Sequence, residues 1–327
     1  MSRASAFRKL VLLAAASFIG FATPQARAAD ALPPGDIHFI CAYAAGSGAD
    51  IIVRYYAEKL RTVTGRSIIV ENKPGAIGNI AAEYVVRSKP DGLTILVTGG
   101  NSVASSAHLF KHPTYDAATS FRIAATINRA TMMVGVKKDS PYNSAKELVE
   151  AMKKKGEKAS WAYANPTAKV LGALFREKAG LTSLDIAYRT GADFLNDLAS
   201  GAIDYAIPDN VQAMAQIRAG HMKILGVGAD TRMKSAPDLP TLTEQGYPMN
   251  VRTWWAALVP AATPRPIIDQ INGWFAKVTD TPEAHAFNNT IASDSWQTTP
   301  DEAQAYYLEE IKRWGEYVRI AKIEPQG

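Results

Sequence analysis

Short apolar runs of strand length recur along this chain, and the small residues that end them pass directly into helix-length amphipathic segments. That punctuation is the signature of sheets whose strands are joined by crossover helices. The candidate strands are Ile37–Tyr43, Ser67–Val70, Leu93–Val97, Met132–Val136, Leu184–Ala187, Tyr205–Ile207, Ile224–Val227 and Ala256–Val259. Most are apolar throughout rather than alternating, as expected of strands covered on both faces. The fold class is therefore α/β, with mostly parallel sheets flanked by helices. Helix starts are marked by Ser144 with Glu147 and by Thr299-Pro300 with Glu302, each a capping-box pattern. Ile267, Ile268, Ile271, Trp274, Phe275 and Val278 repeat at three- and four-residue spacing, which predicts a helix packed on a core.

The junctions themselves are where chemistry is expected. Ala44-Ala45-Gly46-Ser47-Gly48-Ala49-Asp50 follows the first strand and its terminal Tyr43. Pro74-Gly75-Ala76-Ile77-Gly78-Asn79 and Thr98-Gly99-Gly100-Asn101-Ser102 follow later strands. In the second half the same role falls to Asn165-Pro166-Thr167, Thr190-Gly191-Ala192 and Asp209-Asn210. The first-turn N–H groups of a helix lack intrahelical partners and carry partial positive charge, so small residues there admit an anion to the backbone. Any single loop of this kind is ordinary turn chemistry. A series converging on one cleft makes an anion cup.

Two polar-to-extended transitions, near Arg129–Met133 and near Asn250–Trp255, divide the chain. They predict a discontinuous first lobe, residues 29–130 and 251–327, and a second lobe, residues 131–250, with two hinge crossings between them. Residues 1–28 read as an export signal. Arg3, Arg8 and Lys9 precede an apolar run from Leu10 to Ala22, and Ala26-Arg27-Ala28 offers a small-x-small cleavage site. Ala29, not a cysteine, follows the cut, so no lipid anchor is expected on the new N-terminus.

Four of the 36 basic residues lie in that leader and none of the 31 acids, which leaves 32 bases against 31 acids. A nucleic-acid partner would need a basic face that survives processing; the one tight run, Lys153-Lys154-Lys155, suits a solvated helix end. The single cysteine, Cys41, rules out an internal disulfide and reads as a small buried hydrophobe. Gly46-Ser47-Gly48 lacks the third glycine of a dinucleotide fingerprint, since Ile51 stands there, and no phosphate-loop Gly-Lys-Ser/Thr follows any strand. His108 and His112 have ligand-like spacing but no third partner, so they are expected in loops or on the surface and no metal or other cofactor is indicated. No Gly-x-Ser-x-Gly elbow marks a nucleophile, and no catalytic residue is assigned.

Several motifs together resemble the Bug, or TctC-like, receptors of tripartite tricarboxylate transporters. They are Ala45-Gly46 with Asp50, Val70-Glu71-Asn72-Lys73-Pro74-Gly75-Ala76 with Gly78-Asn79, and Lys89-Pro90-Asp91-Gly92. Tyr188 with Asp197-Leu198, Gly201, Asp209-Asn210, Pro237-Asp238-Leu239-Pro240-Thr241 and Trp254 complete the set, so the likeness runs from about Asp36 to the C-terminal helix. The resemblance implies a two-lobe type II periplasmic-binding-protein fold, a monomer in the periplasm, and a small organic carboxylate, di-, tri- or aromatic, held between the lobes. It implies inner-membrane permease subunits as partners, with a sensor kinase or enzymatic turnover on the same scaffold as alternatives.

On that likeness the cleft is expected to hold Tyr43, Gly46, Ser47, Asp50, Gly78, Asn79, Asn101, Ser102, Asn165, Thr167 and Asp209. The chain departs from the family at Ser47, where a second glycine is common, and across Tyr163-Ala164-Asn165-Pro166-Thr167-Ala168-Lys169, where the family carries glycines and a histidine. There Lys169, Arg189 and Thr190 are the side-chain candidates to replace backbone anchoring.

Overall fold

The computed structural model describes residues 32–327; the proposed leader and its cleavage point lie outside the described residues. The strands β1 (Ile37–Cys41), β2 (Ile68–Asn72) and β3 (Thr94–Gly99) alternate with helices α1 (Gly48–Thr64), α2 (Asn79–Val86) and α3 (Gly100–Leu109), and β1 lies parallel to both β2 and β3. A long strand β4 (Phe121–Thr131) leads across Met132 into β5 (Met133–Lys137). Then come α4 (Ala145–Lys155), β6 (Ser160–Tyr163), α5 (Pro166–Ala179), β7 (Leu184–Ala187), α6 (Leu195–Ser200), β8 (Tyr205–Ala206), α7 (Asn210–Arg218) and β9 (Met222–Val227). The chain returns through β10 (Arg252–Pro260), α8 (Arg265–Thr279), α9 (Pro282–Thr290), β11 (Asp294–Ser295) and α10 (Pro300–Ile320). The result is two sheets, ordered β11-β4-β10-β3-β1-β2 and β7-β6-β8-β5-β9.

Both sheets are mixed rather than mostly parallel, and the reason is the crossing. A chain that leaves one lobe and comes back must run through the boundary in opposite directions, so the outgoing β4 and returning β10 pair antiparallel along their length. The same logic pairs β5 antiparallel with β9, the first and last strands of the second sheet. Only the strands joined by helices, such as β6 with β7 and β8, keep the expected parallel sense. The sequence reading missed β4 because Arg122, Thr126, Asn128 and Arg129 interrupt its apolar run. Inside the fold Asn128 donates to Asn288 Oδ1 at 3.0 Å and the Thr126 and Thr298 hydroxyls meet at 3.0 Å, while Asn128 Oδ1 is buried without a partner.

The helix starts follow their signals. Thr299 and Glu302 form the reciprocal capping box, with Pro300 in the first turn. At α4 the Ser144 side chain accepts from Glu147 N, but the Glu147 carboxylate takes Asn143 N at 2.8 Å, one residue earlier than the pattern predicts. In the α8 stripe Ile267, Ile268, Ile271, Phe275 and Val278 are buried and Trp274 is partly buried, and Phe275 stacks on Phe39 of β1 with centroids 5.9 Å apart. Burying such side chains contributes about 1.5–3 kcal/mol each. Cys41 is buried in the same core, where burial pushes its thiol up and keeps it unreactive. His108 lies in α3 rather than in a loop, its ring bonded to the Ile311 carbonyl of α10 at 2.8 Å, while His112 is exposed. Among the described residues, no helix is long and apolar enough to cross a membrane.

One buried charge gives this core a pH signature. Glu310 of α10 is only 1% exposed and ion-paired to Arg313. Burial raises its carboxyl to about 7, against the opposing pull of Arg313 and of a bond from Tyr306. The folded state therefore keeps a proton that the unfolded chain releases near pH 4.5. This contribution is greatest below that value, is lost as pH climbs toward 7, and then levels off. Glu310→Gln should remove the dependence and make the protein more stable than wild type above pH 7, by roughly 1–3 kcal/mol. Urea melts of both proteins between pH 4 and pH 8 check it; parallel curves would show that Glu310 stays ionised.

Candidate functional site

At the carboxyl ends of β1, β2 and β3 three helices begin, and they are finished differently. The first turn of α1 is closed by its own residues. Ser47 Oγ accepts from Asp50 N at 3.2 Å, and the buried Asp50 carboxylate accepts from Gly46 N at 2.9 Å, Arg54 Nε at 2.8 Å and Asn72 Nδ2 at 2.8 Å. Those hydrogen bonds, against the cost of burial, hold the Asp50 carboxyl below its usual range. Asp50 and Ser47 thus fasten the β1–α1 loop with side chains already engaged.

α2 and α3 have no side-chain cap; each starts from a glycine, Gly78 and Gly99. These two open helix starts lie side by side. A Cβ on Gly78 would sit 3.4 Å from Ser102 Oγ and 3.3 Å from the Ala42 side chain. Nearby stands Tyr43, whose phenol is raised by burial, with the Thr98 and Ser102 hydroxyls drawing it the other way. The loop that delivers α2 is strained: Gly75, Ala76, Ile77 and Gly78 all have positive φ, at 126°, 45°, 54° and 93°. For Ala76 and Ile77 that conformation costs on the order of 1–2 kcal/mol each. It is held in place by packing, including Asn79 Oδ1 accepting from the buried Tyr115 hydroxyl at 3.0 Å. Asn101 is a different kind of residue from the one its loop suggested. Its side chain bonds both Arg252 O at 3.1 Å and Trp254 N at 3.2 Å, pinning α3 to β10, while Ser102 Oγ returns to Gly99 O at 2.8 Å. At the α2 start Gly78 N donates to Gly75 O at 2.9 Å and Asn79 N to Ala76 O, so the backbone N–H groups that no side chain caps are those later in the first turn of α2 and those of the first turn of α3.

In the second lobe Asn165 and Asp209 serve as caps, accepting from Ala168 N and Gln212 N, each at 2.9 Å. Burial raises the Asp209 carboxyl, partly offset by the backbone N–H groups it accepts from. Thr167, in the first turn of α5, is buried, and its hydroxyl has no hydrogen-bonding partner among the described residues. Lys169 is drawn to Asp185 at 3.9 Å and over the Tyr163 ring at 5.6 Å. Arg189 and Thr190 are exposed, and Gly191 beside them packs on Gln212, in the first turn of α7.

The two halves meet where α1 and α7 begin: Val211 Cγ1 lies 2.6 Å from where a Cβ on Gly48 would stand. Further bonds join them beyond that point. Asn210 Nδ2 donates to Ile291 O at 2.6 Å, and the Lys234 and Ser235 N–H groups reach the Asp294 carboxylate at 3.2 and 2.8 Å. The structure thus groups Tyr43, Gly78 and Ser102 on one side and Thr190, Gly191 and Asp209 on the other; it shows no bond linking Asn165, Thr167 or Lys169 to the first group. Thr98 and Trp255 were not singled out from the sequence. Thr98 Oγ1 is buried beside the Tyr43 hydroxyl, without a well-formed hydrogen bond.

A row of Ser295, His285 and Asp280 lies elsewhere, with contacts of 3.2 and 3.6 Å. His285 and Asp280 are 51% and 84% exposed, so water screens the pairing that would have to activate the serine.

The chain is similar to known proteins over most of its length. The chain is 26% identical over 314 residues to a UPF0065 protein of Bordetella bronchiseptica, covering 96% of this chain and 93% of that one. The structure of the periplasmic binding protein BugD superposes with a TM-score of 0.78 at 29% identity, over 90% of this chain and 100% of BugD. The R. palustris protein Rpa4515, solved with adipate, gives 0.81 at 24% identity, over 90% of this chain and 99% of that one. The fold is thus the two-lobe fold of periplasmic binding proteins. Residues 52–323 match the profile of TctC, the tripartite tricarboxylate transporter family receptor, and this chain belongs to that family.

Proposed function

We propose that the protein captures a small organic carboxylate in the cleft between its lobes and hands it to tripartite-type permease subunits of the inner membrane, after export and removal of residues 1–28. The observation that carries this reading is the pair of uncapped helix starts at Gly78 and Gly99, set side by side at the ends of parallel strands. The uncapped first-turn N–H groups beyond Asn79, and the positive ends of both helix dipoles, favour a carboxylate without requiring a cation. The strained approach to α2 supports it, since strain is retained where a site needs it. Lobe one then comprises residues 29–130 and 251–327, lobe two residues 131–250, and the β4–β5 and β9–β10 connections are the hinge. The ligand is bound and released unchanged.

Calorimetric titration of the mature protein with mono-, di- and tricarboxylates tests this. Saturable binding of at least one carboxylate, with a raised melting temperature, is expected. Failure of all of them to bind would defeat the reading.

Thr167 tests the second lobe's share. Its unpartnered hydroxyl sits at a helix start of that lobe, so Thr167→Val should weaken carboxylate binding by about ten- to a hundredfold, the worth of one bond to a charged group. A melting temperature that falls with affinity unchanged would instead make Thr167 a structural residue of α5.

A further inference from the structure

We infer that the ligand is a monoanion with a flat apolar body, an aromatic monocarboxylate, rather than a di- or tricarboxylate; this deepens the carboxylate reading and rests on it. Trp255 of β10 pairs directly with Gly99 of β3. Cross-strand partners present their side chains on one face of a sheet. Gly99 has no side chain, and the space is filled by the Tyr43 hydroxyl, 3.0 Å from where its Cβ would be. The Tyr43 and Trp255 rings lie 5.7 Å apart with planes inclined by 42°, both only half-buried. They form one apolar wall beside the start of α3, where the Tyr43 hydroxyl lies over Gly99. Val211, the residue of α7 that touches the start of α1, packs against the same core patch as both rings.

The charges around this wall are already spent. Asp50 and Arg54 bind each other. In the second lobe Lys169 and Arg176 share Asp185. Asp209, two residues before Val211, is an acid at the start of α7 whose carboxylate accepts from Gln212 N. Arg189 is exposed, where an ion pair is weak. A ligand with one carboxylate in the cradle and a ring against Tyr43 and Trp255 needs no cation; a second carboxylate would find the nearby basic side chains paired or exposed.

The test is calorimetry of the mature protein with benzoate, succinate and citrate, repeated on Trp255→Ala and Trp255→Phe. Benzoate is expected to bind at least tenfold more tightly than either polyacid. Trp255→Ala should weaken benzoate by tenfold or more, and Trp255→Phe should restore it to within a few-fold, which separates loss of the wall from loss of the fold. Tighter binding of succinate or citrate than of benzoate would overturn the inference while leaving the carboxylate reading in place, as would benzoate affinity indifferent to Trp255→Ala. Absence of binding by all three, together with the wider carboxylate series, would remove both.

Discussion

Trp254→Ala is expected to destabilise the protein by about 3–5 kcal/mol, enough to consume much of the stability of an ordinary domain. Trp254 is fully buried at the centre of an aromatic group. Its ring meets those of Trp296, Tyr306 and Tyr307 edge to face at 6.0, 5.4 and 6.2 Å. It also fits against α3 where only glycine can stand: a Cβ on Gly100 would lie 2.2 Å from the indole. Removing the ring therefore opens a cavity at the joint between β10, α3 and α10, the joint that also sets the α3 N-terminus. Chemical denaturation checks it. A loss below about 1 kcal/mol would mean the neighbouring rings collapse into the space, and that Trp254 does not organise this face.

The second large effect is on binding. Gly78→Ala should weaken carboxylate affinity by at least tenfold, about 1.4 kcal/mol, because the added methyl enters the space between the α2 and α3 helix starts. The substitution also strains the backbone, since Gly78 has φ of 93°. Gly246 supplies the matched control: its φ is 94°, and a Cβ there would meet nothing within 4 Å. Both variants should lose about 1 kcal/mol of stability, and only Gly78→Ala should lose affinity. Equal affinities in the two would show that the space beside Gly78 is not where the anion sits.

How much of this was legible beforehand varies with the physics of each residue. Several helix starts were, because Ser144 and Thr299 cap through local chemistry that spacing reveals, whereas Ser47, Asn165 and Asp209, expected at the ligand, turn out to cap helices too. The mixed sheets were not, because strand sense follows from where the chain crosses between lobes, and β4 hides buried Asn128 and Thr126 whose partners are about 160 to 170 residues away. In the candidate site, Asp50 and Asn101 carried the right residue types for ligand contact, yet folding spends both on internal bonds. Conversely, Thr98 and Trp255 gained their significance only from long-range pairing, Trp255 lying opposite Gly99 across the sheet. Local sequence announces which helices start where; it does not say which of those starts will be left uncapped and adjacent.

The central claim is that two such starts, α2 and α3, receive a carboxylate. The direct measurement is a crystal structure of the mature protein saturated with a carboxylate that binds in calorimetry. The account predicts carboxylate oxygens within roughly 3 Å of the first-turn N–H groups of α2 or α3, directly or through one ordered water. A ligand held elsewhere, with those N–H groups facing bulk solvent, would contradict it.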